Sequence, residues 1–160
     1  MAVLTGAWDK VGKYLNGDRV KKAKKIALRK TLAYFQRQIK LNIQSKGSLA
    51  GEPFKENAEY TIEKKKSSKP LIDTGDMLGS IMPHIIDDDS GFVGLKSGKR
   101  HLGAKEDNDV ADIGMINEFG AVTSWNQVIP ARPFIKPILD KFGKDAQKYY
   151  EKIFKEEMDK

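Results

Sequence analysis

The chain has 160 residues and a net charge of +7, with 29 Lys and Arg against 22 Asp and Glu, two His and no Cys. That length accommodates one domain of ordinary size, whose core needs no metal or cross-link to hold it. Lack of cysteine excludes a disulfide scaffold, a thiolate zinc site and a cysteine nucleophile, and no run approaches the ~18 consecutive apolar residues of a membrane span.

The opening residues Met1 to Trp8 are apolar but lack the basic lead of a signal peptide, so a soluble, unexported protein is expected. Asn16-Gly17-Asp18 reads as a turn with Asp18 as helix N-cap. A helix follows over 18–44, because Leu28, Leu32, Phe35, Ile39 and Ile43 recur at helical steps on one face. Val20, Ala23 and Ala27 extend that face as a small-residue edge. Lys21, Lys22, Lys24, Lys25, Arg29 and Lys30 crowd the first turns, where the helix dipole disfavours cations. The cluster is a candidate contact for an anion, either DNA or an acidic surface such as Asp87-Asp88-Asp89 of a neighbouring copy. The plainer reading is a solvated face. Trp8, Tyr14 and Tyr34 lie near these cations, in the manner of a single-strand binder. Phe35, on the apolar stripe, is better explained by core packing. Gly47 stops the helix.

Residues 45–69 read as a long polar loop, tacked down by Phe54, Tyr60 and Ile62. A sheet and a short helix are expected over 70–132. Thr74 to Ser80 suggests one helical turn capped by Asp73 or Thr74. Ile81–Ile86 and Phe92–Leu95 read as a hairpin joined by Asp87–Gly91, with Pro83 marking an edge or bulge. The acidic run lacks the alternating ligands of a calcium loop, so a solvated turn is preferred. Residues 96–109 form a second long loop. Asp109 or Asp112 caps a short helix that Gly120 ends. Residues 122–129 are extended, and Trp125 there is a candidate interface anchor, with burial against the sheet as the alternative. A last helix is expected over 133–158, with Pro133 in its first turn and Ile138, Phe142, Ala146, Tyr149 and Ile153 as its apolar face. The whole is α+β: a long helix at each end of a small, mostly antiparallel sheet, with two long loops.

Charge is uneven along this order. Residues 1–69 hold 17 Lys and Arg against 6 Asp and Glu, residues 70–120 hold 4 against 10, and residues 121–160 hold 8 against 6. A basic arm beside an acidic middle suits nucleic-acid contact or head-to-tail packing between copies. His84 and His101 have no partner at a working spacing, and no phosphate-cradling loop, nucleophile elbow or zinc helix is present. A non-enzyme is therefore expected, and a nuclease built from scattered Asp, Glu and Lys ranks lowest. No cofactor is expected.

Three ordered strings carry a more specific signal. They are Leu71-Ile72-Asp73-Thr74-Gly75-Asp76-Met77-Leu78-Gly79-Ser80-Ile81, then Ile116-Asn117-Glu118-Phe119-Gly120, then Ile129-Pro130-Ala131-Arg132-Pro133-Phe134-Ile135. Together with a weaker lead-in from Glu52-Pro53-Phe54 to Lys66, they resemble the tail-completion and head–tail joining family of tailed bacteriophages, the minor virion morphogenesis proteins. The likeness spans residues 52–137. It marks Leu71, Thr74, Gly75, Leu78, Ser80, Glu118, Phe119, Gly120, Pro130, Arg132, Pro133 and Phe134 as motif positions. It implies a structural protein of the virion neck or tail top, made in the host cytoplasm. Its partners would be copies of itself in a ring, adjacent neck and tail proteins, and DNA in the channel, with no membrane. The alternative is a small basic nucleic-acid-binding protein using the Lys21–Lys30 cluster. Glu118 and Arg132, each among apolar neighbours, are expected to pair with each other. Both long loops look too poor in apolar residues to pack alone and are expected to order on assembly.

Overall fold

Two long helices and a hairpin enclose the core. The structure is a computed structural model that describes residues 17–66, 68–72, 75–98 and 109–160. Among these, the chain order is α1 (Gly17–Gln44), α2 (Glu59–Lys65), α3 (Asp76–Ser80), β1 (Ile81–Ile85), β2 (Gly91–Leu95), α4 (Val110–Phe119), β3 (Ala121–Val122), β4 (Val128–Ile129) and α5 (Lys136–Met158). The architecture is α+β, with long helices at the two ends of the described chain and two separate two-stranded antiparallel ladders between them.

Helices α1 and α5 run antiparallel. Arg19 at the start of α1 donates from Nη2 to the Met158 carbonyl at the end of α5 (2.7 Å), and Tyr34 packs on Tyr149 midway. Ala23 and Ala27 of the small-residue edge are buried, as are Ala146 and Ile153 on α5. Farther along, Ile39, Ile43 and Ile138 join Phe54, Leu71, Met77, Ile81, Val110 and Phe134 in the core, with Phe35 packed at its edge. The apolar stripes read from the sequence are thus the faces the helices bury.

The β1–β2 hairpin lies against α1. Its register sets Ile81 opposite Leu95 and His84 opposite Phe92. Ile81 points into the core, while Met82 and Phe92 face outward. Pro83, opposite Val93, sits in a ladder of only two strands, where an absent N–H is tolerated. Asp87 builds the turn: its carboxylate accepts from the Asp89 and Ser90 N–H groups and from the Ser90 hydroxyl. These bonds, the Ser90 hydroxyl first, hold the Asp87 carboxyl below its ordinary range.

Residues 45–69 differ from the loop expected. Residues 59–65 form α2, and Phe54 is buried in the core. The turn after α1 is built on Gly47, whose φ of 86° suits glycine and where a Cβ would stand 2.2 Å from the Glu52 carbonyl. Buried Asn42 accepts the Ala50 N–H at its side-chain oxygen, and Lys141 of α5 donates to the Leu49 carbonyl. Phe54 in the core, Leu49 and Ala50 packed at its edge, and these hydrogen bonds together dock a segment whose composition is mostly polar. Of the second loop, 99–108 lies outside the described residues, and so do His101, Trp8 and Tyr14.

The last helix starts at Lys136 rather than at 133. Its early proline is Pro137, and Pro133 belongs to the irregular lead-in. The residues between 130 and 136 are fixed by side chains from elsewhere.

Candidate functional site

The second and third strings lie side by side. The Asn117 carbonyl accepts the Arg132 N–H at 2.6 Å. Glu118 Oε2 accepts the N–H groups of Phe134 (2.8 Å) and Ile135 (3.0 Å), and Oε1 accepts that of Lys136 (2.9 Å). Helix starts leave such donors without intrahelical partners and favour a negative charge, so one carboxylate meets both needs. Arg132, 8% exposed, donates from Nε to the Lys55 carbonyl (2.7 Å) and from Nη2 to the Glu56 carbonyl (2.8 Å). The expected Glu118–Arg132 ion pair is therefore absent among the described residues. Each charge instead satisfies backbone groups that folding would otherwise leave unpaired. Burial holds the Arg132 guanidinium below its ordinary pKa.

The first string supplies the opposite wall. Leu71 and Met77 are buried, and Leu78 packs at the core's edge. Ser80 is buried and returns its hydroxyl to the Asp76 carbonyl (2.6 Å). Gly75, at φ 87°, leads into α3. Thr74 and Asp73 lie outside the described residues. A cavity of about 590 Å³ separates this wall from the other two strings, lined by Leu71, Met77, Asn117, Ile129, Pro130 and Arg132 among others. All three strings thus border one space, and Ser80, Asn117, Glu118 and Arg132 among them bond to backbone.

Beyond this framework the surface turns apolar. Gly120 ends α4 at φ 77°, where a Cβ would stand 2.9 Å from the Ile129 carbonyl, and sends the chain into the β3–β4 ladder. There Val122 pairs with Val128. Phe119, Val122, Trp125 and Val128 are 77%, 67%, 84% and 73% exposed. Trp125 is therefore free rather than buried against a sheet. Beside Phe119 runs an apolar groove of about 440 Å³, lined by Leu95, Met115, Phe134 and Leu139. Of this surface the sequence marked Trp125 as an anchor and Phe119 only as a motif position. Val122, Val128, Met115 and Leu139 look like core residues in one dimension; the placement of the short ladder outside the core exposes the first two, and the open groove between α4 and α5 the other two.

The cation cluster divides. Lys24 pairs with Asp89 (2.8 Å), Lys25 with Asp88 (3.7 Å) and Lys30 with Glu157 (3.7 Å). The hydrogen bond to Asp89 raises the Lys24 pKa. Lys21, Lys22 and Arg29 are exposed and have no carboxylate at ion-pair distance among the described residues. The acidic run, one of the anionic partners considered for the cluster on a neighbouring copy, is thus met by the basic helix of its own chain. His84 stacks on Phe92 (4.8 Å between ring centres), and its Nε2 is buried without a hydrogen-bond partner among the described residues.

No described helix is long and apolar enough to cross a membrane. Compared with protein families, curated proteins and solved structures, the chain matches none of them.

Proposed function

We propose that this chain is a structural protein of a tailed-phage virion, a tail-completion or head–tail joining subunit that assembles in copies at the neck–tail junction around the DNA channel. The observation that carries the reading is the interlock of the second and third strings with the lead-in segment, across a cavity from the first. The carboxylate of the second string holds the helix that follows the third, and the arginine of the third holds the lead-in segment at Lys55 and Glu56. Residues that make the resemblance are the ones that brace the fold, which suits a scaffold that acts by binding. The exposed apolar ladder beside this frame offers a surface for neighbouring copies or adjacent neck proteins. Reading the chain as a non-enzyme rests on the same observation, since Glu118 and Arg132 are engaged with backbone.

The alternative, a small basic nucleic-acid-binding protein, draws less support, because it rests on the cation cluster alone and leaves the interlocked strings and the exposed apolar ladder without a role. A knockout of the gene in a phage that carries it tests the proposal. The expected result is DNA-filled heads and free tails that do not join, restored by supplying the gene in trans. Joined, infectious particles at normal yield overturn it.

A further inference from the structure

The N-terminal half of α1 presents a row of cations with an unusual neighbour. Lys21, Lys25 and Arg29 are spaced four residues apart and exposed, so their stems rise along one side at about 6 Å intervals. Lys22 and Lys24 flank the row. From Gly17 to Lys40 no large apolar side chain is among the exposed ones. A protein-binding surface of this size usually has an apolar centre. A row of exposed cations without one suits the regular negative charge of a phosphate backbone.

The hairpin turn reaches the edge of this row. Asp87 spends its carboxylate on the turn's own backbone and on Ser90, which leaves Asp88 and Asp89 to face the helix. Asp89 meets Lys24 and Asp88 meets Lys25. All four side chains stay substantially exposed, between 38% and 65%. Exposed pairs of this kind are weak and yield to salt or to a stronger anion.

We propose that the Lys21–Arg29 face of α1 is a latched binding site for a nucleic-acid backbone, with the Asp88–Asp89 turn as an internal counter-ion that incoming phosphates displace. The turn lowers affinity for stray nucleic acid but leaves the site open to a strand held nearby at high local concentration. Lys21, Lys22 and Arg29 make the first contact. Lys24 and Lys25 join once the turn lets go. The site stands apart from the interlocked strings, so its failure leaves the virion reading untouched.

Fluorescence anisotropy with a labelled oligothymidylate tests the latch on the full chain. The D88N/D89N variant is expected to bind roughly two- to thirtyfold tighter than the parent, the range that two released surface pairs allow. Because any loss of acid raises net charge, E59Q/D112N serves as a matched control that changes the same charge elsewhere and is expected to gain less. The K21Q/K25Q/R29Q variant is expected to lose binding and most of its dependence on salt between about 50 and 200 mM. Thermal melting of each variant confirms that the fold is kept. Equal gains in D88N/D89N and the control, or no binding by any form, overturn the proposal. So does binding of polyglutamate by the cation row with no response to the oligonucleotide.

Discussion

At the scale of single residues, two charges do their work on backbone. Glu118 accepts three N–H groups at the start of α5. A hydrogen bond to a charged group contributes about 1.5–3 kcal/mol, and bonds that share one carboxylate do not add in full. Glu118→Ala is therefore expected to destabilise the fold by about 2–4 kcal/mol, and Glu118→Gln by less, since one oxygen remains an acceptor. Chemical denaturation checks the order; equal stability of Glu118→Ala and the parent would show that the cap is idle. Arg132→Ala is expected to free the segment at Lys55 and Glu56, whose carbonyls it holds, and faster hydrogen exchange of the neighbouring backbone would record it. The sequence revealed that these charges need partners, because each lies among apolar residues. It did not reveal which, since helix-start N–H groups and loop carbonyls are invisible in a string of side chains. Asp87 gives a test by pH. Its pKa is depressed in the fold, so its contribution is complete above the ordinary Asp range and is lost as pH falls through the depressed value. A carboxyl titration by NMR is expected to place Asp87 below the ordinary Asp range.

At the scale of elements, periodicity made the long helices legible and composition hid the docked loop. The stripe of α1 and that of α5 each run for several turns, so random placement of apolar residues is an untenable account of them. The Asp109 cap and Gly120 stop bound α4 because their chemistry is local, as the bond from the Ala111 N–H to Asp109 shows. By contrast, 45–69 contains few apolar residues; of the three expected to tack it down, Tyr60 is exposed and the one that enters the core is Phe54. Its burial depends on a pocket made by residues far away in sequence, which no local pattern encodes. Phe54→Ala is expected to cost about 3–5 kcal/mol, as for a buried aromatic side chain. Gly47→Ala is expected to destabilise as well, because both the positive φ and the Glu52 carbonyl oppose a side chain there. Hydrogen exchange on the free protein is expected to show protection at Gly47, Ala50 and Phe54, whose N–H groups are bonded within the fold or to Asn42. Rapid exchange at all of them would restore the picture of a segment that orders only on assembly.

At the scale of the whole molecule, the groups that brace the fold and the apolar groups left in solvent are different side chains on adjoining surfaces. Glu118 and Arg132 bond to backbone within the fold, whereas Phe119, Val122, Trp125 and Val128 stand in solvent at the end of α4 and along the short hairpin. Four large apolar residues within ten positions form a patch of the kind monomeric proteins seldom leave open. Their exposure is not required by the fold: Ala121 and Ile129 carry the inward side of the same ladder, and Gly120 already sets its direction. The patch is therefore separable from stability, which makes its role testable. Trp125→Ala together with Val128→Ser is expected to change the melting temperature little, since surface substitutions away from packed features usually shift stability by less than about 0.5 kcal/mol. The same variant is expected to fall out of assembly, because exposed aromatic anchors concentrate binding energy, at about 2 kcal/mol or more each where they are buried by a partner. Complementation of a gene knockout reads the second effect, and thermal melting reads the first. A variant that folds and restores full particle yield would assign the patch no part in assembly. A variant that unfolds would mean that the ladder supports the core from outside, and the separation of the two surfaces would be wrong.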